Sequence, residues 1–475
     1  MIVGVDIGTQ SLKALVLDEE LKVRGRGSSP YDYATPQPGW AEQDPALWLE
    51  ALCPAIGAAL TDAGVAPRDI RAIGLAGQLD GCVAVDATGA ALTPALIWMD
   101  KRAHGQLPAL DASDFLEITG QVADPSHMAA KIRWLRTSGV TAARFHQPVS
   151  FVLEALCGEA VFDLGHASST MLFDQRRRDY SNSLLEAFEI DRQSLPRIAP
   201  ATEIAGTLSA AGAERCGLKP GTPLAVGTGD DFATPLGAGI SAPGVLCCVL
   251  GTAEVVGAVS ETRVLDHRQL LETHNYVSDL YFVENPGWLA GGTLRWLKQI
   301  LAVGGAGELD ALAASSTPGA GGVTFLPALA GAMAPQWRPN ARGCFYGLSA
   351  ASTRGDLVRA VLEGCAFAVR DVASRLEELE HPASELALLG GGGASSIWAQ
   401  THADVTGLVV RCSREVETCA LGAALLAAVA TGVHDSITAA ANRVADWDRS
   451  YEPTAELDAA YQRYRDLFSG LETLF

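Results

Sequence analysis

Basic residues are scarce in this chain: 35 Lys and Arg stand against 55 Asp and Glu, a formal net charge of −20. That balance makes nucleic acid an unsuitable partner, since such binding rests on neutralising phosphates with clustered cations. A phosphate-bearing ligand would have to be held locally, by backbone N–H groups, a divalent cation and a few side chains. The ten cysteines are scattered and include no C-x-x-C pair. They read as small buried hydrophobes in a reducing cytoplasm, not as a disulfide framework. The nine histidines show no metal-ligand spacing. The longest apolar stretch, Ala420 to Val433, is too short to span a bilayer. The first residues lack a basic segment followed by an apolar core, and Asp6 interrupts the first strand, so a signal peptide and a membrane partner are not expected.

Apolar content is ample at 48%, with 19% charged residues, as in an ordinary folded protein. At 475 residues the chain exceeds one hydrophobic core and predicts two domains. Ile2 to Ile7 reads as a strand, Gly8-Thr9-Gln10-Ser11 as a tight turn and Lys13 to Asp18 as a second strand. Half a chain later the plan returns: Cys247 to Leu250, the turn Gly251-Thr252, then Val255 to Val259. Glycine lets backbone approach an anion, and its N–H groups with a threonine hydroxyl can bind phosphate oxygens. Two such turns facing a shared cleft would suit a nucleoside triphosphate.

Leu21 to Ser28 adds a third strand. Asp44-Pro45 opens a helix, with Asp as cap and Pro at the first helical position. Ile70 to Ala76 is the next strand, and Val83 to Asp86 with Ala91 to Ile97 predicts a hairpin turning at Ala87-Thr88-Gly89. Residues 100 to 220 alternate helical and irregular stretches, as an insertion around a substrate would. Pro223 to Val226 runs into Gly227-Thr228-Gly229-Asp230-Asp231. Helices follow near Leu289–Ala302, Arg354–Glu380, Ser395–Thr406 and Cys419–Thr431, with strands at Leu386–Leu389 and Leu408–Cys412. A meander followed by strand–helix alternation, twice over, predicts an α/β chain of two actin-like, ribonuclease H-like ATPase domains flanking a deep cleft. The boundaries expected are 1–240 and 241–475, with the last helix able to pack back on the first domain.

Asp6, two residues before the first turn, can hold Mg²⁺ through water against phosphates, or bond its own turn. The repeated hairpin favours the metal. Lys13 can neutralise a phosphate or simply be solvated. Asp230 ends a predicted buried strand where open α/β sheets place ligands, and is the candidate catalytic base. Phosphoryl transfer to an alcohol needs a carboxylate to orient the hydroxyl and take its proton. Alternatively Asp230 or Asp231 caps the helix that follows, and Asp231 can cap or bind substrate. Gly390 to Gly393 can let an adenine lie on bare backbone. Gly291-Gly292 with Arg295 can flank the same nucleotide, while Trp296 reads as a core aromatic. Trp98 and Asp100 can wall and hydrogen-bond a polyol, or Trp98 can sit in the core.

With these residues in place, the chain resembles the FGGY carbohydrate kinases, in particular their xylulokinase branch, from residue 1 to about residue 465. The resemblance is carried by Gly4-Val5-Asp6-Ile7-Gly8-Thr9 with Lys13, by Gly39 to Pro45, and by Gly74-Leu75-Ala76-Gly77-Gln78. It continues through Ile97-Trp98-Met99-Asp100 with Arg102, Gly227 to Asp230, Leu250-Gly251-Thr252, Gly343 to Leu348, and Gly391-Gly392-Gly393-Ala394 with Trp398, Gln400 and Asp404. It implies ATP and Mg²⁺ as cofactors, Asp230 as base and Asp6 on the metal side. Gly8, Thr9, Gln10, Lys13, Gly251 and Thr252 would lie at the phosphates. Gly291, Arg295, Gly391, Gly392 and Ala394 would lie toward the rest of the nucleotide. Gln78, Leu79, Asp80, Trp98 and Asp100 would surround the sugar, and the family suggests a homodimer.

Two departures bear on the substrate. The family's Gly-Gln-Met-His-Gly is Gly77-Gln78-Leu79-Asp80-Gly81 here, which replaces a potential donor by a carboxylate that only accepts when ionised. Its Gly-Glu-Arg-(Thr/Ala)-Pro is Gly331-Ala332-Met333-Ala334-Pro335, without either charge. The expectation is phosphorylation of a ketopentose at its terminal hydroxyl, D-xylulose first. The rivals are a kinase for another pentulose, polyol or sugar acid, and an actin-like ATPase without sugar kinase activity.

Overall fold

The computed structural model describes residues 1–475, whose contacts group into two compact units. The first holds Met1–Ser241 with Thr273–Tyr281 and Glu417–Ala445. The second holds Ala242–Glu272, Phe282–Val416 and Asp446–Phe475. Each is built on a mixed sheet. In the first unit the strands are β1 (Ile2–Ile7), β2 (Ser11–Leu17), β3 (Val23–Pro30), β4 (Ala72–Gly77), β5 (Ile204–Thr207) and β6 (Pro223–Ala225). Their spatial order is β5-β6-β4-β1-β2-β3, and the short strand Thr228–Gly229 also pairs with β4. In the second, β7 (Val245–Leu250), β8 (Ala253–Ser260), β9 (Tyr281–Leu289), β10 (Glu385–Leu389), β11 (Val409–Ser413) and β12 (Trp447–Tyr451) run in the order β9-β8-β7-β10-β11-β12. In both sheets an antiparallel hairpin, β1-β2 or β7-β8, has a parallel strand on its other side, β4 or β10. The duplication read from the two Gly-Thr turns is therefore a duplication of topology.

The helices that matter, in chain order, are α1 (Pro45–Ala63), α2 (Met128–Thr137), α3 (Leu164–Ser168), α4 (Asp230–Gly237), α5 (Gly291–Ile300), α6 (Arg354–Glu378), α7 (Ser396–Thr406), α8 (Thr418–Ala430) and α9 (Asp458–Leu471). Asp44 caps α1 by accepting from the Ala46 amide at 3.0 Å, and left-handed Gly64 closes it. By length and composition α1 could cross a membrane. Here it lays Trp48, Leu52, Ile56 and Leu60 into the core with strand residues Ala14 and Val16. The predicted hairpin at residues 83–97 forms irregularly: the Asp86 amide donates to Ala90, the Leu92 amide to Ala84, and Cys82 and Leu96 exchange hydrogen bonds. Its turn forms at Asp86, but Val83–Val85 pairs with Arg144–His146, and the return segment keeps only isolated bridges and Ala95–Leu96. The final helix also differs from expectation. α9 buries Tyr464 and Phe468 against Phe367 within the second unit, and it is α8 that belongs with the first.

The Ala-rich α8 lies directly on the first sheet because glycines face it. A Cβ at Gly4 would sit 1.9 Å from the Ala420 carbonyl oxygen, and one at Gly74 only 1.8 Å from that of Ala423. These are backbone atoms that cannot swing away. Gly74→Ala should therefore destabilise the fold by about 3 kcal/mol or more, read as a lower urea midpoint. An unchanged midpoint would mean that α8 is free to lift from the sheet.

Candidate active site

In the first unit three strand ends converge. Asp6 on β1 is in register with Lys13 on β2 and Ala76 on β4, and Ala76 is in register with Thr228. Asp230 follows Gly229 as the first residue of α4, so it lies within the helix and neither it nor Asp231 is the cap. Both take positions where a carboxylate complements the helix N-terminus. Asp6 is 8% exposed. Burial pushes its carboxyl up to about 6, while Lys13 and the Cys419 thiol at the start of α8 hold it down. Burial, reinforced by the Asp6 charge, pushes Asp230 up to about 7; the amides of Asp230 and Asp231 and the His166 imidazole oppose the shift. Asp231 is raised by burial, then by Asp230 and Asp80. Asp6, Asp230, Asp231 and Asp80 thus form one acidic cluster.

Lys13 is salt-bridged to Glu417 at 2.6 Å. Burial opposes its charge, but Asp6 and Glu417 outweigh burial and raise its pKa. In the turn, the Gly8 amide donates to Ser11 (3.1 Å), and the Gly8 carbonyl accepts from the Tyr31 hydroxyl (2.7 Å). The glycine N–H is therefore spent inside the turn. The Thr9 amide and hydroxyl are donors the turn can still offer an anion; Thr9 Oγ1 accepts from Trp98 Nε1 at 3.1 Å. Trp98 is thus fixed to this turn, which corrects its placement in a core. The Gln10 side chain is exposed, and its carbonyl accepts from the Tyr31 amide at 3.0 Å.

The residues expected around a sugar divide into two groups. Leu79 packs against Gly229, whose added Cβ would meet it at 2.4 Å. Gln78 donates to Gln43 at 3.0 Å and keeps a buried, unpartnered Oε1. Asp80 adopts a left-handed backbone (φ 56°), its amide donates to Gln147 (2.9 Å), and its carboxylate meets His127 Nδ1 (3.1 Å). Asp100 falls outside this group. It is fully buried, its carboxylate taken by Arg102 (2.7 Å) and the Ala41 amide (2.7 Å). Arg102 in turn lies 3.6 Å over the Trp40 ring and pairs with Glu42 at 2.7 Å. Asp100 shapes the wall by holding Arg102 and offers no free oxygen to a ligand.

Sequence reasoning missed a polar chain behind the cluster. Thr228 donates to Asp163 (2.6 Å), Asp163 holds His166 Nδ1 (2.6 Å), and the His166 carbonyl accepts from Gln147 (3.0 Å), which also holds the Asp80 amide. It connects the strand end before Asp230 to the Asp80 loop through α3. Asp163 is the side-chain cap of α3, a legible signal, but nothing in the spacing announced that its other oxygen would reach Thr228.

In the second unit the Gly251 amide again donates within its turn, to Ala253 at 2.9 Å, leaving Thr252 as the donor. The Gly291 and Gly292 amides at the start of α5 donate to Gly251 (3.2 Å) and Thr252 (3.0 Å). A Cβ at Gly392 would lie 2.3 Å from Leu250 Cγ, which brings the Gly391–Ala394 turn to the same strand end. Gly391 faces open space, and Arg295 and Ala394 are exposed. Trp296 stacks on Phe325 (6.5 Å, 22°), as a core aromatic should.

Two family models cover most of the chain: the N-terminal domain of the FGGY family of carbohydrate kinases matches residues 1–237, and its C-terminal domain residues 246–431. The chain belongs to the FGGY family of carbohydrate kinases. It is a sugar kinase, a phosphotransferase with the two-domain, actin-like ATPase fold. It is 30% identical to the xylulose kinase of Escherichia coli over 99% of this chain and 98% of that one. It is 34% identical to the glycerol kinase of Gloeobacter violaceus over 91% of this chain and 88% of that one. Among solved structures, a xyloylose kinase from Brucella ovis superposes with a TM-score of 0.90 at 29% identity, over 100% of this chain and 99% of that one. The family carries ATP as phosphoryl donor, and the substrates are ATP and a small sugar.

Proposed function

We propose that this FGGY kinase transfers the γ-phosphoryl group of ATP to the terminal hydroxyl of a neutral ketopentose, D-xylulose first. The observation that carries the reading is the acidic cluster. Asp230 stands at a strand end with its carboxyl pushed up to about 7 by burial and Asp6, within the range where a base can take and release a proton. Asp80 and Asp231 beside it offer carboxyl oxygens to sugar hydroxyls, and the Asp80 carboxylate disfavours an anionic acceptor, which argues for a neutral sugar over a sugar acid. In this reading Asp230 orients the hydroxyl and takes its proton as the new O–P bond forms and the bond to ADP breaks. Leu79, Asp80, Gln78 and Trp98 shape the sugar site, and Asp231 binds a hydroxyl. Thr9 and Thr252 offer donors to the phosphates, with Gly8, Gln10 and Gly251 setting their turns and Lys13, held by Glu417, acting directly on Asp6. Gly291, Arg295, Gly391, Gly392 and Ala394 take the remainder of the nucleotide.

The donor set at Asp6 suits Mg²⁺: a hard carboxylate oxygen, raised in pKa by burial, with Asp230 nearby. Asp6 would hold the ion through water, and the ion would neutralise charge on the β- and γ-phosphates. These roles suit a cytoplasmic enzyme, and a homodimer accords with the family. The 34% identity to a glycerol kinase favours a second reading, a short polyol as acceptor. A panel of ketoses, polyols and sugar acids in an ADP-coupled assay tests both. The expected result is the highest kcat/KM with D-xylulose and essentially none with sugar acids. A polyol or sugar acid at the head of the panel would end the xylulose assignment. ATP turnover independent of every sugar would favour an actin-like ATPase.

A further inference from the structure

Lys131 on α2 is 0% exposed, and its ammonium hydrogen-bonds to no carboxylate. Instead it donates to two backbone carbonyls, that of Asp80 at 2.7 Å and that of Ile97 at 2.8 Å. Burying a charged ammonium is costly, and a site that does so usually has a use for it. The two carbonyls belong to different loops. One follows β4 and presents the Asp80 carboxylate; the other leads directly into Trp98, whose indole is tied to Thr9. The loops also meet at Cys82 and Leu96, whose backbones exchange hydrogen bonds (2.8 and 3.0 Å); beyond that bridge Lys131 supplies the side-chain link, and the Asp80 amide is held by Gln147.

We propose that Lys131 is a positioning residue that sets sugar specificity: its protonated ammonium pins the Asp80 loop to the Trp98 loop and so fixes the width of the sugar site. The inference rests on the sugar-kinase reading of that site and names the group that holds it in shape. Three donors on the ammonium allow both carbonyls to be satisfied at once, and its charge compensates the acids around it. Those acids are Asp80, paired with His127; Asp100, neutralised by Arg102; and Asp124, which accepts from Ser126; the Cys82 thiol also faces it. Burial lowers the lysine to about 8 against the raising effect of Asp80, Asp100, Cys82 and Asp124. The sign follows. Below about pH 8 the pin is charged and tight; above it the amine loses a proton, the two carbonyls lose a charge-assisted donor, and the loops part more easily.

The test compares wild type with Lys131→Met in steady-state assays of the full chain from pH 6.5 to 9.5, using MgATP and the best sugar of the panel. The substitution should raise the sugar KM about tenfold or more, as for buried acceptors left unsatisfied, while the ATP KM stays within about twofold. In wild type the sugar KM should climb as pH passes about 8; in Lys131→Met it should be flat there. A general loosening of the fold would move both KM values together, and that outcome overturns the proposal. If Lys131→Met does not fold, the wild-type profile decides, and a sugar KM constant from pH 7 to 9 overturns it. A wild-type protein that phosphorylates no sugar overturns the kinase reading and this inference with it. A working kinase whose sugar KM ignores both substitution and pH overturns this inference alone.

Discussion

Asp230→Ala is expected to lower kcat by about 10²–10⁴-fold, the range for removal of a positioned general base, while ATP still binds. The asymmetry is the informative part. Asp230 belongs to the first unit, at a strand end beside Asp6 and Asp231, whereas the Gly-Thr turn at residue 251, α5 and the Gly391–Ala394 turn belong to the second. Nucleotide titration, followed by calorimetry, should therefore give a Kd near that of wild type. The wild-type rate should also carry the signature of this carboxyl. Asp230 must be ionised to accept a proton, and its pKa is raised to about 7. In sugar kcat/KM the rate should hence fall as pH drops below about 7, and more steeply once Asp6 protonates near 6. A rate independent of pH between 5 and 8, or near-normal turnover in Asp230→Ala, would remove Asp230 from the chemistry.

Much of the fold that carries this site was legible in the sequence. Strand–Gly-Thr–strand is a local signal, and its recurrence at residues 8 and 251 foretold two sheets of one topology. Asp44-Pro45 foretold a helix start because capping is settled by neighbours in sequence. What escaped depends on long-range pairing. The hairpin at residues 83–97 was expected from a good turn and forms there irregularly, but Val83–Val85 also pairs with Arg144–His146, a partner about 60 residues away. Asp100 looked like a ligand because it follows Trp98, yet Arg102 two residues on claims it. Lys131 and Asp163 were invisible because their meaning lies in the carbonyls and hydroxyl they reach, at residues 80, 97 and 228. The departure at Asp80 was plain in the sequence, whereas its His127 and Gln147 partners were not.

Asp6→Asn should lower kcat by roughly 10²-fold or more, the scale of losing metal-side charge stabilisation of the transferring phosphoryl group. It should also leave a second mark that simple damage would not. The Asp6 carboxylate is one of the two largest influences holding Asp230 up, second only to burial. Asparagine keeps the shape of that side chain but removes its charge, so Asp230 ionises more easily and its pKa falls. The acid limb of the residual activity should therefore move to lower pH, even as the rate at its plateau collapses. Lys13 supplies a control. With Asp6 neutral it still has Glu417 at 2.6 Å, so the strand end is not left with an unpaired cation and the fold should survive, read as a near-native melting temperature. A rate that falls without any shift of the acid limb would separate Asp6 from Asp230 electrostatically and place its role on the phosphate side alone. An acid limb that moves down without a large loss of rate would mean that Asp6 tunes the base but carries no metal.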